Sequence, residues 1–394
     1  MRICVSGIGV VSAIGIGVKQ NFSALISSAH GIAPILRLNT IHKLPVGEVK
    51  YSNTELKQLL KLSVNKTYSR TALLGILAAF EAVKDSNINL SNLRVGIISA
   101  TSVGGMDLTE EFYKYFTNNP DSGRLRDVVS HDCCHSTKKI AEYCGIKGFQ
   151  TTISTACSSA ANAIMLGARM IRNGYLDAVI VGGTDALCKF TLNGFNSLMI
   201  LDSKECCPFD NYRNGLNLGE GAGYLVLQSE QTLERSPYCY LAGYANANDA
   251  YHQTASSAEG NGAYLAMSRA LNMAHIKPNE VDYINVHGTG TINNDASEAE
   301  AIIRIWGEHV PPFSSTKQFT GHTLAAAGGI EAVYCVLAIN NGVLYPNLNF
   351  SIPINGVTLT PQVNCVQGQK IKTVISNSFG FGGNNSSLIF RQTI

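Results

Sequence analysis

The chain has 394 residues, 45% hydrophobic and only 15% charged, with 30 Lys and Arg against 28 Asp and Glu. So apolar a composition, at a formal net charge of +2, excludes a disordered chain, which needs low hydrophobicity and high net charge. No Lys/Arg run exceeds two residues, so neither a nucleic-acid stripe nor a patch for anionic membrane is expected. At roughly 150 residues per domain the length predicts two or three units.

In chain order, Ile3–Ser6 reads as a buried strand. The apolar stretch to Val18 follows Arg2 and mimics a signal peptide, but Gly7, Gly9, Gly15 and Gly17 interrupt it, so a strand and turn is the expectation. Gly7-Ile8-Gly9 begins a dinucleotide fingerprint, yet Ser12 stands where its third glycine belongs, and nicotinamide binding is not expected. Thr71–Val83 predicts a helix of small residues and Arg94–Ser99 a strand. His131, Cys133, Cys134 and His135 cluster without a second Cys/His pair at suggestive spacing, so no metal is expected there. Ser158–Arg172 predicts a helix closed by Asn173-Gly174. Asp177–Val181, Tyr283–Val286 and Thr373–Ser376 predict further strands. Strands alternating with helices predict an α/β fold with largely parallel strands. No stretch is expected to span a membrane. Eleven cysteines, including the adjacent pairs Cys133-Cys134 and Cys206-Cys207, form no disulfide framework and predict a reduced, cytoplasmic protein.

One long-range echo organises the rest. Thr155-Ala156-Cys157 precedes a small-residue helix, and Thr320-Gly321-His322 precedes another. The two reactive residues are 322 − 157 = 165 positions apart. Either two homologous halves each present one reactive residue, or two packing helices look alike by coincidence. With the junction near Ser236–Ala245, the first reading divides the chain into 1–240 and 241–394.

Cys157 opens a helix, where the dipole and free backbone N–H groups favour thiolate and could hold an oxyanion. The alternative is a small buried apolar residue. His287 lies at a strand end in Val286-His287-Gly288-Thr289-Gly290-Thr291, with hydroxyls at Thr289 and Thr291. Lys317 and His322 share the segment Ser315–His322, and Asn377–Asn385 is a glycine-rich loop carrying Phe379 and Phe381.

Together these segments resemble the β-ketoacyl-[acyl-carrier-protein] synthases, nearest to the elongating Cys-His-His type, synthase II. The motifs run in the family's order along nearly the whole chain: Thr155–Ser159, His287–Thr291, Lys317–Gly329 and Asn377–Asn384. The resemblance implies a thiolase-like fold of two pseudo-symmetric α/β halves in an αβαβα sandwich. It implies decarboxylative Claisen condensation of an acyl-carrier with a malonyl-carrier through acyl-Cys157. His287 and His322 would serve decarboxylation, and the N–H groups of Cys157 and Phe381 would form the oxyanion hole. Lys317 would be supported by an ion pair with Glu298, with Asp295 beside it. Thr289 and Thr291 would bind the phosphopantetheine arm of acyl carrier protein, Phe379 and Phe381 would line the site, and Phe381 would gate it. Val103 would fall near the chain-length position. The resemblance implies a homodimer and no cofactor beyond the carrier's arm. Cys207, before Pro208-Phe209-Asp210, departs from the family's Arg and leaves open whether the pathway makes fatty acids or polyenes and polyketides. A thiolase-type acyltransferase, which needs a second catalytic Cys, and a non-catalytic partner subunit are the alternatives.

Overall fold

The computed structural model describes residues 1–393. β1 (Ile3–Ser12) is buried along its whole length. It runs past the expected Ser6 because Gly7 and Gly9 are packing positions, not breaks. A Cβ at either would strike the carbonyl oxygens of Ala82 and Ala78 on the helix α1 (Arg70–Ser86). The Gly-x-Gly is therefore a close helix–strand contact. Ser69 caps α1 by accepting from the Ala72 N–H, and Asn87 closes it in the left-handed conformation.

The first half continues with β2 (Val95–Ala100), β3 (Gln150–Ile153), α2 (Ser159–Arg172), β4 (Ala178–Asp185) and β5 (Gly221–Ser229). Then come β6 (Cys239–Asn248), α3 (Asn261–Ala274), β7 (Tyr283–Asn285), α4 (Ile292–Trp306), β8 (Phe313–Ser314), α5 (Ala327–Asn341), β9 (Thr373–Gly380) and β10 (Asn384–Arg391). The sheet order is β8-β7-β9-β10-β6-β1-β5-β4-β2-β3. Numbering each half's strands one to five, both read 3-2-4-5-1. Strands two, three and four are parallel in each half, while five runs antiparallel to both four and one. The sheet is thus mixed, correcting the expectation of largely parallel strands. Its two halves join only where β1 pairs with β6, Cys4 opposite Tyr240 and Val5 opposite Cys239.

α1 covers one outer face and α3 the other, while α2 and α5 meet between the two halves of the sheet. This makes five layers, αβαβα. The central layer requires small residues. At Gly328 of α5 a Cβ would come within 3.1 Å of the Ala161 nitrogen on α2. α5 is apolar all round, as a helix buried on every side must be. Leu324–Asn341, at mean hydropathy 1.3, is long and apolar enough to cross a membrane, which the sequence reading did not anticipate; 89% of it is buried between the sheets. All eleven cysteines are free, including both adjacent pairs.

Candidate active site

β3 leads into a turn in which Ala156 takes a left-handed φ of 51°, and Cys157 follows, just before Ser158, the N-cap of α2. That conformation costs a non-glycine residue about 1–2 kcal/mol. The turn is tied by Ser159, whose hydroxyl accepts from the Thr155 N–H at 2.7 Å and donates to the Ala156 carbonyl. The other half repeats the device. After β8 and a helical turn at Lys317–Thr320, Gly321 takes φ 72° and presents His322. The His322 N–H donates to the Asn217 carbonyl at 2.7 Å.

These turns bring two side chains into contact across 165 residues: His322 Nε2 lies 3.0 Å from Cys157 Sγ. His287, just past the end of β7, sets its ring edge-on to His322 at 5.4 Å. One ligand atom from each of the three residues lies within 4.8 Å of the others. All three are buried. Burial drives both imidazoles well below their usual 6.5, with the Lys317 charge adding to the effect, so both are neutral at pH 7. Burial likewise pushes the Cys157 thiol up to about 12, against the lowering by Lys317 and by a hydrogen bond from the Phe381 N–H. Cys157 therefore rests as a thiol. The expected preference for thiolate at the helix start is outweighed by desolvation, and His322 Nε2 is the group placed to take the proton.

The glycine loop sits directly over this pair. At Gly380 a Cβ would lie 3.1 Å from the Cys157 nitrogen, a contact tight enough that any side chain there would push β9 or the Cys157 turn aside by a few tenths of an ångström. The Phe381 N–H reaches the sulfur, and its ring stacks on Phe195 with centroids 5.7 Å apart. From outside, the Gly382 N–H donates to the Gln253 carbonyl at 2.7 Å, and Asn248 Nδ2 donates to the Gly382 carbonyl at 2.9 Å.

The ion pair differs from expectation. Lys317 Nζ bonds Glu331 Oε1 at 2.5 Å and the His287 carbonyl at 2.5 Å, not Glu298. Glu298 instead accepts the N–H groups of His287 and Gly288, each at 2.9 Å, and the Asn377 amide at 3.1 Å. Asp295 accepts the N–H groups of Thr289, Gly290 and Phe209. Together the two carboxylates hold the turn that carries His287. Burial raises Glu298 to about 7 while these donors pull it down. Glu331 escaped the sequence reading, although it is the one charged residue between Leu324 and Asn341. A lone acid in an apolar helix requires a partner. Asp185, at the end of β4, was also missed. It accepts from Thr101, Ser102 and the Ala325 N–H, tying the segment after β2 to the His322 segment.

A cavity of about 240 Å³ opens from Cys157 and the two histidines past Phe379 and Phe381 to Thr289 and Thr291. The two threonine hydroxyls lie 2.9 Å apart on its wall. Phe379 is buried beside His287, its ring 5.9 Å away. Val103 does not line this cavity. It packs among Leu187, Cys188, Leu192, Leu216 and Leu324.

Residues 1–232 match the N-terminal domain of the beta-ketoacyl synthase family and residues 238–351 its C-terminal domain. The chain belongs to the beta-ketoacyl synthase family. It is 33% identical over 416 residues to a 3-oxoacyl-[acyl-carrier-protein] synthase 2 of Staphylococcus aureus, covering 100% of this chain and 98% of the relative. Identity is again 33% to the Synechocystis protein of that name, over 99% of this chain and 98% of the other. Among solved structures, the ishigamide ketosynthase/chain length factor matches with TM-score 0.94 and 28% identity, over 100% of this chain and 99% of that one. The ketosynthase ApeO in complex with its chain length factor ApeC, from Xenorhabdus doucetiae, matches with TM-score 0.88 and 32% identity, over 100% and 98%. The fold is thus thiolase-like, and this beta-ketoacyl synthase is an acyl-transferring enzyme of the condensing type.

Proposed function

We propose that this beta-ketoacyl synthase elongates carrier-bound acyl chains as a 3-oxoacyl-[acyl-carrier-protein] synthase, with Cys157, His287 and His322 as its catalytic residues. The observation that carries the reading is the 3.0 Å contact of Cys157 Sγ with His322 Nε2, with a second neutral imidazole beside it. In the first half-reaction His322 accepts the thiol proton as sulfur attacks the acyl thioester, and that proton leaves on the carrier's thiol. The N–H groups of Cys157 and Phe381 hold the tetrahedral oxyanion. In the second, the C–CO₂ bond of a malonyl thioester breaks. Its electron pair forms an enolate whose oxygen takes hydrogen bonds from His287 and His322. The enolate carbon then attacks acyl-Cys157. The sulfur leaves as thiolate and takes up a proton drawn from solvent through His322, and the product is a 3-keto chain two carbons longer. Neutral imidazoles suit the enolate, because each keeps an N–H to donate; His322, which meets the thiol with a bare Nε2, does so as its Nε2–H tautomer. Lys317, with Glu331, and the carboxylates Glu298 and Asp295 support the two histidine turns.

The uncharged rim at Thr289 and Thr291 fits the amides of a phosphopantetheine arm, so acyl carrier protein is the proposed partner. Two copies would pair along β3, the outermost strand of the first half, whose four residues are all partly exposed. We assign the halves to 1–240 and 241–394 to within two residues, since β6, the first strand of the second repeat of strand order, begins at Cys239. Cytoplasmic placement is proposed on the eleven free thiols.

Relatives named for 3-oxoacyl-[acyl-carrier-protein] synthase 2 favour fatty-acid elongation. Neighbours that are ketosynthases paired with chain length factors favour a specialised pathway and a related partner subunit. A panel of acyl-carriers, with the adduct on Cys157 weighed for each, decides between them. Cys157→Ala should accept no acyl group and lose condensation by roughly 10⁶-fold, as for other removed nucleophiles. An adduct on any other cysteine would reject the assignment. A degradative thiolase is disfavoured because Cys365, the cysteine nearest the glycine loop in sequence, does not line the cavity.

A further inference from the structure

We propose that Asn384 is a positioning residue whose side-chain carbonyl ties the glycine loop to the nucleophile turn and sets the spacing of the two oxyanion-hole donors. Asn384 is the first residue of β10, immediately after Gly383. Its Oδ1 accepts from Asn246 Nδ2 at 2.7 Å and Asn162 Nδ2 at 3.0 Å, and lies 2.7 Å from Ser158 Oγ, whose one proton it shares with the Thr155 carbonyl, also at 2.7 Å. Ser158 adjoins Cys157, Asn162 lies in the first turns of α2, and Asn246 belongs to β6 in the other half of the molecule. Asn162 Nδ2 also donates to Thr155 Oγ1 at 2.9 Å, and Ser386 Oγ to Asn162 Oδ1 at 3.1 Å. The polar chain therefore runs from the residue before Ala156, beneath Cys157, to β10.

The loop needs such a tie. Gly382 and Gly383 both hold left-handed φ, 75° and 72°, and the hydrogen bonds on them run away from the nucleophile turn, joining Gly382 to Gln253 and Asn248 and the Gly383 carbonyl to the Asp249 N–H. At its leading end Gly380 rests on the Cys157 nitrogen. At its trailing end the tie to the nucleophile turn is the Asn384 carbonyl. One N–H of the oxyanion hole belongs to the turn and the other to the loop, so this carbonyl governs their separation. The network is partly buried, on the wall of a second pocket lined by Thr155, Asn162, Asn246 and Asn384, and in it one oxygen answers two amide donors and a shared hydroxyl. The assignment rests on the proposed condensing activity.

The test measures kcat and KM for acylation of Cys157 from an acyl-carrier, and CO₂ release from a malonyl-carrier, on the full chain. Asn384→Leu keeps the volume and removes the acceptor. We expect its acylation kcat to fall roughly 10- to 100-fold, less than for a donor lost outright, with KM within about twofold. CO₂ release, which depends on the histidines, should fall less than about threefold. Asn384→Asp restores an acceptor and should recover most of the rate. Asn246→Ala should lower the melting temperature yet retain acylation. Should Asn384→Leu fail to fold, Ser158→Ala, which deletes one donor, carries the test and should slow acylation about threefold. Equal loss in both reactions, an unchanged acylation rate, or an Asp variant no better than Leu overturns the role. If the unaltered chain forms no acyl-Cys157 with any carrier, the functional reading fails instead. Faster hydrogen exchange at the Phe381 and Gly382 amides in Asn384→Leu then still reports on the tie, and unchanged exchange rejects it.

Discussion

The two halves of the molecule solve one backbone problem and use it for two chemistries. Each runs strands in the order 3-2-4-5-1, and each sends its third strand into a left-handed residue, Ala156 or Gly321, before the reactive side chain. Beyond those turns the halves diverge. In the first half α2 begins at Ser159, so Cys157 sits at the dipole's positive end. In the second, the turn Leu324–Ala326 separates His322 from α5, and Lys317 supplies the positive field instead. The connection between fourth and fifth strands also differs. Residues 186–220 fill it in the first half and only Phe381–Gly383 in the second. The long segment brings Phe195 and the short one Phe381, and the two rings stack over the cavity. A duplicated frame thus fixes where reactive atoms go, while unequal connections decide what covers them.

After loss of Cys157 itself, removing one histidine gives the largest expected effects. His287→Ala should lower CO₂ release from malonyl-carrier by about 10²–10³, the usual cost of one oxyanion donor, and leave acylation of Cys157 within a few-fold. His322→Ala should lower both, because of the two imidazoles His322 is the one that touches the sulfur; acylation should fall about 10- to 100-fold. Equal behaviour of the two variants would erase the division of labour. The pH profile sharpens it. Both imidazoles titrate well below 6.5 and the thiol at about 12. The active form, neutral His with thiol, therefore persists as pH rises from 6.5, and activity is lost only on acidification below that. A kcat/KM for acylation that climbs through pH 8–9, as for an ordinary thiol, would contradict the proton transfer to His322.

The supporting carboxylates rank next. Glu331→Gln leaves Lys317 charged and uncompensated in the centre of the protein, where breaking a buried pair costs about 3–5 kcal/mol. Glu298→Gln turns one of three accepting contacts into a repulsion and should cost about 1–3 kcal/mol. Urea midpoints in the opposite order would return the ion pair to Glu298.

Cys157, His287, His322 and Phe381 were legible because reactive side chains stood out among glycine, alanine and threonine in the order of a known family. The repeat showed in the two turns because tight backbone geometry restricts residue choice there. Other features were hidden for physical reasons. Gly7 and Gly9 read as strand breaks, since a sequence does not show that α1 presses on them. β8 has two residues and β3 four, lengths at which pairing, not propensity, makes the strand. The partner of Lys317 was misread because several acids lie within reach along the chain; burial within α5 selects Glu331. Val103 was placed by analogy of position, and no pattern in the sequence shows which wall of a cavity a residue faces.

The smallest effect on stability, and the most direct probe of the short connection, lies at Gly382. Its φ of 75° is left-handed, yet a Cβ there would meet nothing within 4 Å. Space is available, so a side chain costs only backbone strain, of order 1–3 kcal/mol for the conformation. A β-branched residue would relieve that strain by moving the loop, and Phe381 moves with it. Gly382→Val should therefore lower the melting temperature by a few degrees and slow condensation at least about tenfold. By contrast Gly194, on the helix that carries Phe195, has open space around its Cβ and no left-handed φ. Gly194→Ala should leave both quantities nearly unchanged. If the two substitutions behave alike, the Phe381–Gly383 connection is a passive turn. If only Gly382→Val slows the reaction, the backbone conformation of that short connection sets the second oxyanion donor, and Phe195 provides only the surface against which Phe381 rests.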